Sequence, residues 1–239
     1  MLKDFSKKVA IMQPYTFPYI GYFQLLQAVD IFVFYDDVNF IKGGWINRNK
    51  IGNQNQLFTI PLHKASPNKK IQDIEIHHEK CNFWKKKFLK TIYYEYSQAQ
   101  FFDDIYSQLV AFFNLSFENI SVLAQSSVKL CCEYLGLEKE FYISSSLPVP
   151  PDISRSDRLI DITKYLNSNK YINSVGGKKL YEKSYFSDYG VSLQFLHPKL
   201  PTDLQLNSSG CHSYLSIIDV MMHNTKDDIK EMLDKYTLE

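Results

Sequence analysis

Arginine is almost absent from this chain of 239 residues: of 27 basic side chains only Arg48, Arg155 and Arg158 are arginines, so each stands out as a candidate for recognising an anion. Cysteine is also scarce. Cys81, Cys131, Cys132 and Cys211 show no C-x-x-C spacing, which excludes a disulfide framework and a cysteine zinc site, and Cys131-Cys132 reads as a pair packed within a helix. The six histidines (His63, His77, His78, His197, His212 and His223) form no H-x-x-x-H pair, and His77-His78 falls at the end of an expected strand, where surface positions are usual. No G-x-S-x-G elbow is present, and the doublet Gly176-Gly177 is too short for a dinucleotide fingerprint. Charge of one sign is lacking as well: a net charge of +1 supplies no global field for a polyanion, so no nucleic-acid partner is expected. No run approaches the roughly 18 apolar residues of a membrane span, and MLKDFSKKVAIMQP lacks the features of a signal peptide. A cytoplasmic location is the resulting expectation.

What is present is a chain 45% hydrophobic, enough for a substantial core, and a dense opening stretch from Lys8 to Lys50. Lys8 to Gln13 is a short apolar strand stopped by Pro14. Pro18 then opens a helix in which Tyr19, Ile20, Phe23, Leu26 and Ala28 keep helical spacing. Ile31 to Tyr35 is a second β-branched and aromatic strand, closed by Asp36-Asp37. Strand, helix, strand at this spacing predicts parallel neighbours, with Gln13-Pro14 and Asp36-Asp37 on the same carboxyl rim, where open α/β sheets bind ligands.

Further along, Gln56–Ile60 and Ile71–Ile76 read as an antiparallel edge pair around the turn-rich HKASPNKK. From Asn82 the apolar period becomes helical, giving three helices with breaks near Ser97 and Asn114 and with Gly136 as a C-cap. Phe141–Ser146, Arg158–Leu166 and Lys170–Val175 read as a second strand-helix-strand unit, followed by a helix at Tyr181–Tyr189, a last strand at Val191–Leu196, and helices at Leu215–Met222 and Ile229–Leu233. The expectation is a three-layer α/β domain whose halves, 1–80 and 139–239, bracket an all-helical insertion at 81–138.

The chemistry-bearing residues gather on the expected rim. Asp36-Asp37 suits a shared Mg²⁺ with substrate phosphates, and suits equally a turn cap paired with Lys42 or Arg48. The loop Lys42–Lys50 combines Lys42, Trp45, Asn47, Arg48 and Asn49 with two glycines that admit backbone N–H groups to a ligand. Its natural guest is a phosphate or carboxylate; the alternative is a solvated basic loop anchored by Trp45. Gly176-Gly177 permits close backbone approach, and Arg158 is a ligand candidate beside Ser156 and Asp157, which read as helix caps. For a general base at the rim, strand alternation favours Asp37 over Asp36 as the carboxylate turned toward the cleft, with Tyr15 or Trp45 covering the ligand.

Four blocks, IMQPYTFPYIGYFQLL, DIFVFYDDVNFIKGGWINRNKI, DRLIDITKYLNSNKYINSVGGKKLY and LSIIDVMMHN, resemble the WbqC-like protein family over nearly the whole chain. The resemblance implies a role in bacterial O-antigen and related polysaccharide synthesis, with glycyl or related aminoacyl transfer onto sugar; the expected reaction is amide formation by acyl or aminoacyl transfer to an amino sugar, with a nucleotide-sugar substrate and an acyl thioester donor. It carries over Gln13, Pro14, Tyr15, Gly21, Tyr22, Asp36, Asp37, Lys42, Trp45, Asn47, Arg48, Asn49, Arg158, Gly176, Tyr181 and Asp219. A fainter similarity links the opening unit to the nucleotidyltransferases and ligases of HxGH type. It implies a Rossmann-like, nucleotidyltransferase/HUP-like fold and puts Gly21-Tyr22 where those enzymes carry their phosphate-binding histidine. The candidate catalytic set is thus Asp37, Asp36 and Tyr22.

Overall fold

The structure is a computed structural model and describes residues 7–151, 153–199 and 214–239. Six strands form the central sheet in the order β5-β2-β1-β6-β7-β8: β1 Lys8–Met12, β2 Ile31–Phe34, β5 Glu140–Ile143, β6 Lys170–Ser174, β7 Ser192–Pro198 and β8 Tyr236–Leu238. All pairs are parallel except β7 with β8. Helix α1 (Ile20–Gln27) joins β1 to β2 in the expected unit. The sheet grows from β1 in both directions, through β2 to β5 and through β6 to β7, so its direction reverses between β1 and β6.

Alternation along the strands sorts the core into two clusters. Val9, Ile11, Ile31 and Val33 face α5 (Arg155–Tyr165) and α6 (Lys183–Asp188), where Leu159, Ile160, Ile162 and Phe186 cover them. Ala10, Phe32 and Phe34 face the other way, toward α1, the helices α2 (His78–Tyr96), α3 (Phe102–Asn114) and α4 (Ile120–Leu135), and the final pair α7 (Ile217–His223) and α8 (Lys226–Leu233). Helices therefore cover both faces. The three middle helices share one continuous apolar cluster with this face of the sheet. Their breaks fall where the sequence puts them: α2 ends at Tyr96, α3 at Asn114, and Gly136 closes α4 in the left-handed region at φ 68°, a conformation that costs glycine little.

Several expectations are corrected. Gln56–Thr59 (β4) pairs with Arg48–Ile51 (β3) in a separate two-stranded sheet, not with Ile71–Ile76 at the edge of the main one. The supposed loop thus becomes a strand from Arg48 onward, and its polar sequence hid the pairing. Ile71–Asp73 is a single 3₁₀ turn, and the stretch makes only isolated bridges, Glu75 to Asn119 and Ile76 to Leu62. His77 and His78 open α2 instead of closing a strand. The second strand-helix-strand unit exists as β5, α5 and β6, but its strands are separated by β2 and β1. Ser154, not Ser156 or Asp157, caps α5 by accepting from the Asp157 N–H. Val191–Leu196 is not the last strand, since β8 adds a three-residue antiparallel edge too short to register as a pattern. No helix among the described residues is long and apolar enough to cross a membrane. Cys211 and His212 lie outside the described residues.

Candidate functional site

The parallel register brings the ends of β1 and β2 together, with the Tyr35 N–H donating to the Met12 carbonyl at 2.7 Å. The next residues, Asp36 and Asp37, are buried at 3% and 9% exposure. Charges so placed need partners, since an unpaired buried carboxylate is costly. The partners come from three other elements. Ser144 and Ser145, in the 3₁₀ turn after β5, approach from the neighbouring strand. Ser144 Oγ accepts the Asp36 N–H at 3.1 Å and donates to Asp37 Oδ1 at 2.6 Å. Ser145 donates its N–H to Asp36 Oδ1 and its hydroxyl to Asp36 Oδ2, both at 3.2 Å. Ser121 of α4 donates to Asp36 Oδ2 at 3.1 Å and accepts from the Gln125 amide at 2.8 Å. Arg158 of α5 completes the set by pairing its Nη2 with Asp37 Oδ2, while its guanidinium carbon lies 5.7 Å from the centre of the Tyr35 ring.

Burial pushes the Asp36 carboxyl above the ordinary carboxylate value, against the opposing hydrogen bonds from Ser145 and Ser121, and the neighbouring Asp37 adds to the rise. The Tyr35 hydroxyl is pushed up to about 12 by burial, opposed by Arg158. A Mg²⁺ ion would need carboxylate oxygens free to face it. Each of the four oxygens of Asp36 and Asp37 already carries an N–H or O–H donor, so this donor set does not fit the ion. Among the described residues no cluster of His, Cys, Asp and Glu is arranged to hold a metal.

A second group lies past the end of β1. The Thr16 N–H and hydroxyl both donate to the Ile46 carbonyl, at 3.0 and 2.8 Å, tying the β1 rim to the loop before β3. Asn47 and Asn49, expected on a ligand, spend their amides on backbone: Asn47 donates to Ile60 at 2.9 Å, and the fully buried Asn49 donates to Phe17 at 2.7 Å. They hold the loop in place. Arg48 stacks on Trp45, 5.3 Å from the ring centre, and Trp45 remains 46% exposed. Tyr15 lies close enough to feel the Arg48 charge, although burial raises its hydroxyl overall. Lys42 is exposed on the same loop.

Tyr22 sits in the core with Phe23 and Phe32, and its hydroxyl donates to the Gln13 carbonyl at 3.0 Å. Burial drives that hydroxyl far above its usual range, so the group fixes the Gln13-Pro14 turn and has no exposure to a substrate. On the other side of the direction reversal, Gly176 is exposed with room around it. A Cβ at the buried Gly177 would come within 2.5 Å of the Asn173 amide, so a side chain there would force Asn173 to move. Tyr181 packs edge-on against Phe186 at 6.0 Å, half-buried near Arg155. Asp219 lies elsewhere, under the β3–β4 turn.

These residues are held by elements from across the chain. The WbqC-like protein family matches residues 13–231. The chain belongs to this family. A relative, the uncharacterized protein Rv1507c of Mycobacterium tuberculosis, is 25% identical over 221 residues, covering 91% of this chain and 94% of the relative. No solved structure matches the chain. Sequence reasoning missed Ser144, Ser145, Ser121 and Tyr35. The serine triplet at the carboxyl end of an apolar strand was a usable signal for the first two, whereas Ser121 inside α4 carries none.

Proposed function

We propose that this WbqC-like chain is a transferase that forms an amide on a nucleotide-linked amino sugar, with the carboxyl rim of the sheet as its substrate site. The observation that carries this reading is a set of unpaired donors: Arg158 Nε and Nη1 and Arg48 Nε are buried at the rim without a hydrogen-bond partner. Buried guanidinium N–H groups call for an acceptor, and phosphate or carboxylate oxygens fit them best. The sheet's direction reversal beside β1 supports a Rossmann-like, nucleotidyltransferase/HUP-like classification, since such folds bind nucleotides at that point. Family membership supports a role in surface-polysaccharide synthesis.

In the proposed reaction the sugar amine attacks an acyl thioester; the new C–N bond forms as the C–S bond breaks, and the thiol leaves with a proton. The amine's own proton needs a base. Asp37, the choice from strand alternation, is held by Arg158 and Ser144. Asp36, whose carboxyl burial raises, is the stronger candidate, and Ser145, an exposed residue whose hydroxyl donates to Asp36 Oδ2, offers a path from solvent side to buried carboxylate. Asp37 then positions Arg158. The test is incubation with an amino-sugar nucleotide and an acyl thioester, read by mass spectrometry. An amide product that falls about a hundredfold in Asp36→Asn and in Ser145→Ala is expected. Arg48→Ala should weaken nucleotide-sugar binding by about 1.5–3 kcal/mol. Unchanged binding in that variant would remove the anion site.

A second reading follows from the saturation of all four Asp36 and Asp37 oxygens: a protein that binds nucleotide sugars without turning them over. Saturable binding with no product from any thioester would select it. Adenylation of HxGH type is not proposed, because Tyr22 replaces the histidine and is enclosed in the core.

A further inference from the structure

Helix α2 runs 19 residues, about 28 Å at 1.5 Å per residue, and buries Phe88, Ile92 and Tyr96 on its inner face. Trp84 and Phe88 stack there, and both meet Phe58 of β4, so the inner face is fully used. Its outer face is unusual for a protein of net charge +1. Lys80, Phe83, Lys86, Lys87, Lys90 and Tyr94 fall within a single arc at helical spacing, and all are exposed. Phe83 is 75% and Tyr94 71% exposed, the highest values for large apolar side chains among the described residues. Glu79 is the one acidic residue on this arc, because Glu95 turns away to accept the Asn53 N–H. Among the described residues none of the four lysines makes an ion pair. Lys90 lies over the Tyr94 ring at 5.6 Å.

We propose that this face of α2 docks the protein on an anionic bilayer surface. Four unpaired ammonium groups in one arc complement a layer of lipid phosphates, and each such lysine contributes about fivefold to partitioning. Phe83 projects among them and enters the headgroup boundary, where an aromatic ring is favoured. A solvated charged face would not gain from leaving a phenyl ring so exposed among lysines. The contact is peripheral, needs no spanning helix, and is independent of the substrate site.

The experiment is co-sedimentation of the full chain with phosphatidylcholine vesicles, with and without phosphatidylglycerol. Binding is expected only with the anionic lipid and should fall as salt rises. The triple variant Lys86→Glu/Lys87→Glu/Lys90→Glu should lose on the order of a hundredfold in partitioning. Phe83→Ala should lose about fivefold to tenfold at constant salt. All four positions are exposed, so the variants should keep the wild-type circular dichroism spectrum and Tm, and nucleotide-sugar binding should be unchanged. Equal binding to neutral vesicles, full binding by the triple variant, or lysine-dependent binding of single-stranded RNA with none to vesicles would each overturn the proposal.

Discussion

Two buried carboxylate sites in this molecule are solved in opposite ways. At the sheet rim, Asp36 and Asp37 receive a guanidinium and three serine hydroxyls. Under the β3–β4 turn, Asp219 of α7 receives the Gly52 N–H at 2.9 Å on one oxygen, and its other oxygen is buried without a hydrogen-bond partner. Its neighbours there are the Tyr96 hydroxyl, which accepts the same Gly52 N–H at 2.8 Å, and His223, whose ring bonds the Asp219 carbonyl at 2.9 Å. Burial pushes the Asp219 carboxyl from 3.8 up to about 6. The contrast teaches that burial raises a carboxyl at both places, while only the rim supplies a donor to every carboxylate oxygen. A buried guanidinium held among such donors suits a site for an ionic ligand. A carboxyl that prefers its proton suits a clasp between a hairpin and a helix.

The largest expected effect comes from breaking the rim pair. Arg158→Met leaves Asp37 buried and unpaired and should cost about 3–5 kcal/mol in urea unfolding. Adding Asp37→Leu should recover most of it; a single variant as stable as wild type would mean that the pair is not buried in solution.

Asp219→Asn sharpens the other side. The carboxyl's folded-state value lies above its unfolded value, so the native state holds the proton more tightly. Its contribution to stability is fully present below about pH 4 and lost as pH rises to about 6. Above that window the deficit is roughly 3 kcal/mol at most. Asparagine keeps an acceptor for Gly52 and removes the charge, so the variant should have a higher Tm at pH 8 and a flatter profile between pH 4 and 6. The Asp36 shift has the same sign, so a smaller decline should persist in the variant. A Tm that falls at pH 8 would show that the carboxylate is stabilising there.

Ser144→Ala strips the Asp36 N–H of its acceptor and Asp37 of a donor and should cost about 1–3 kcal/mol. Ser121→Ala removes one donor of the two on Asp36 Oδ2 and should cost about 1 kcal/mol. If Ser121→Ala proves the more harmful, Asp36 depends on α4 more than on the β5 turn.

Much of the fold was legible because its signals are local. Apolar alternation in Lys8–Met12 and Ile31–Phe34, Pro14 and Pro18, the helical period through α2, α3 and α4, and Gly136 all act within a few residues of themselves. The same signals put Asp36-Asp37 and Gln13 on one rim, and Arg48 and Arg158 among the candidates. β3 escaped because RNKI has no strand pattern and exists only by pairing with β4. The three-residue β8 escaped because an edge strand of that length depends on β7.

What the sequence by itself determined, then, was where each element begins and ends and which residue types stand at the strand ends. Which groups meet was decided only by the tertiary structure. Arg158 reaches Asp37 across 121 positions, Ser144 across 107, and Ser121 reaches Asp36 across 85. Sheet order and the seating of α4 and α5 on opposite faces of the sheet set those meetings. The same placement turns Asn47, Asn49 and Tyr22 toward backbone carbonyls, because a buried N–H or O–H bonds whatever acceptor the packed chain puts within reach.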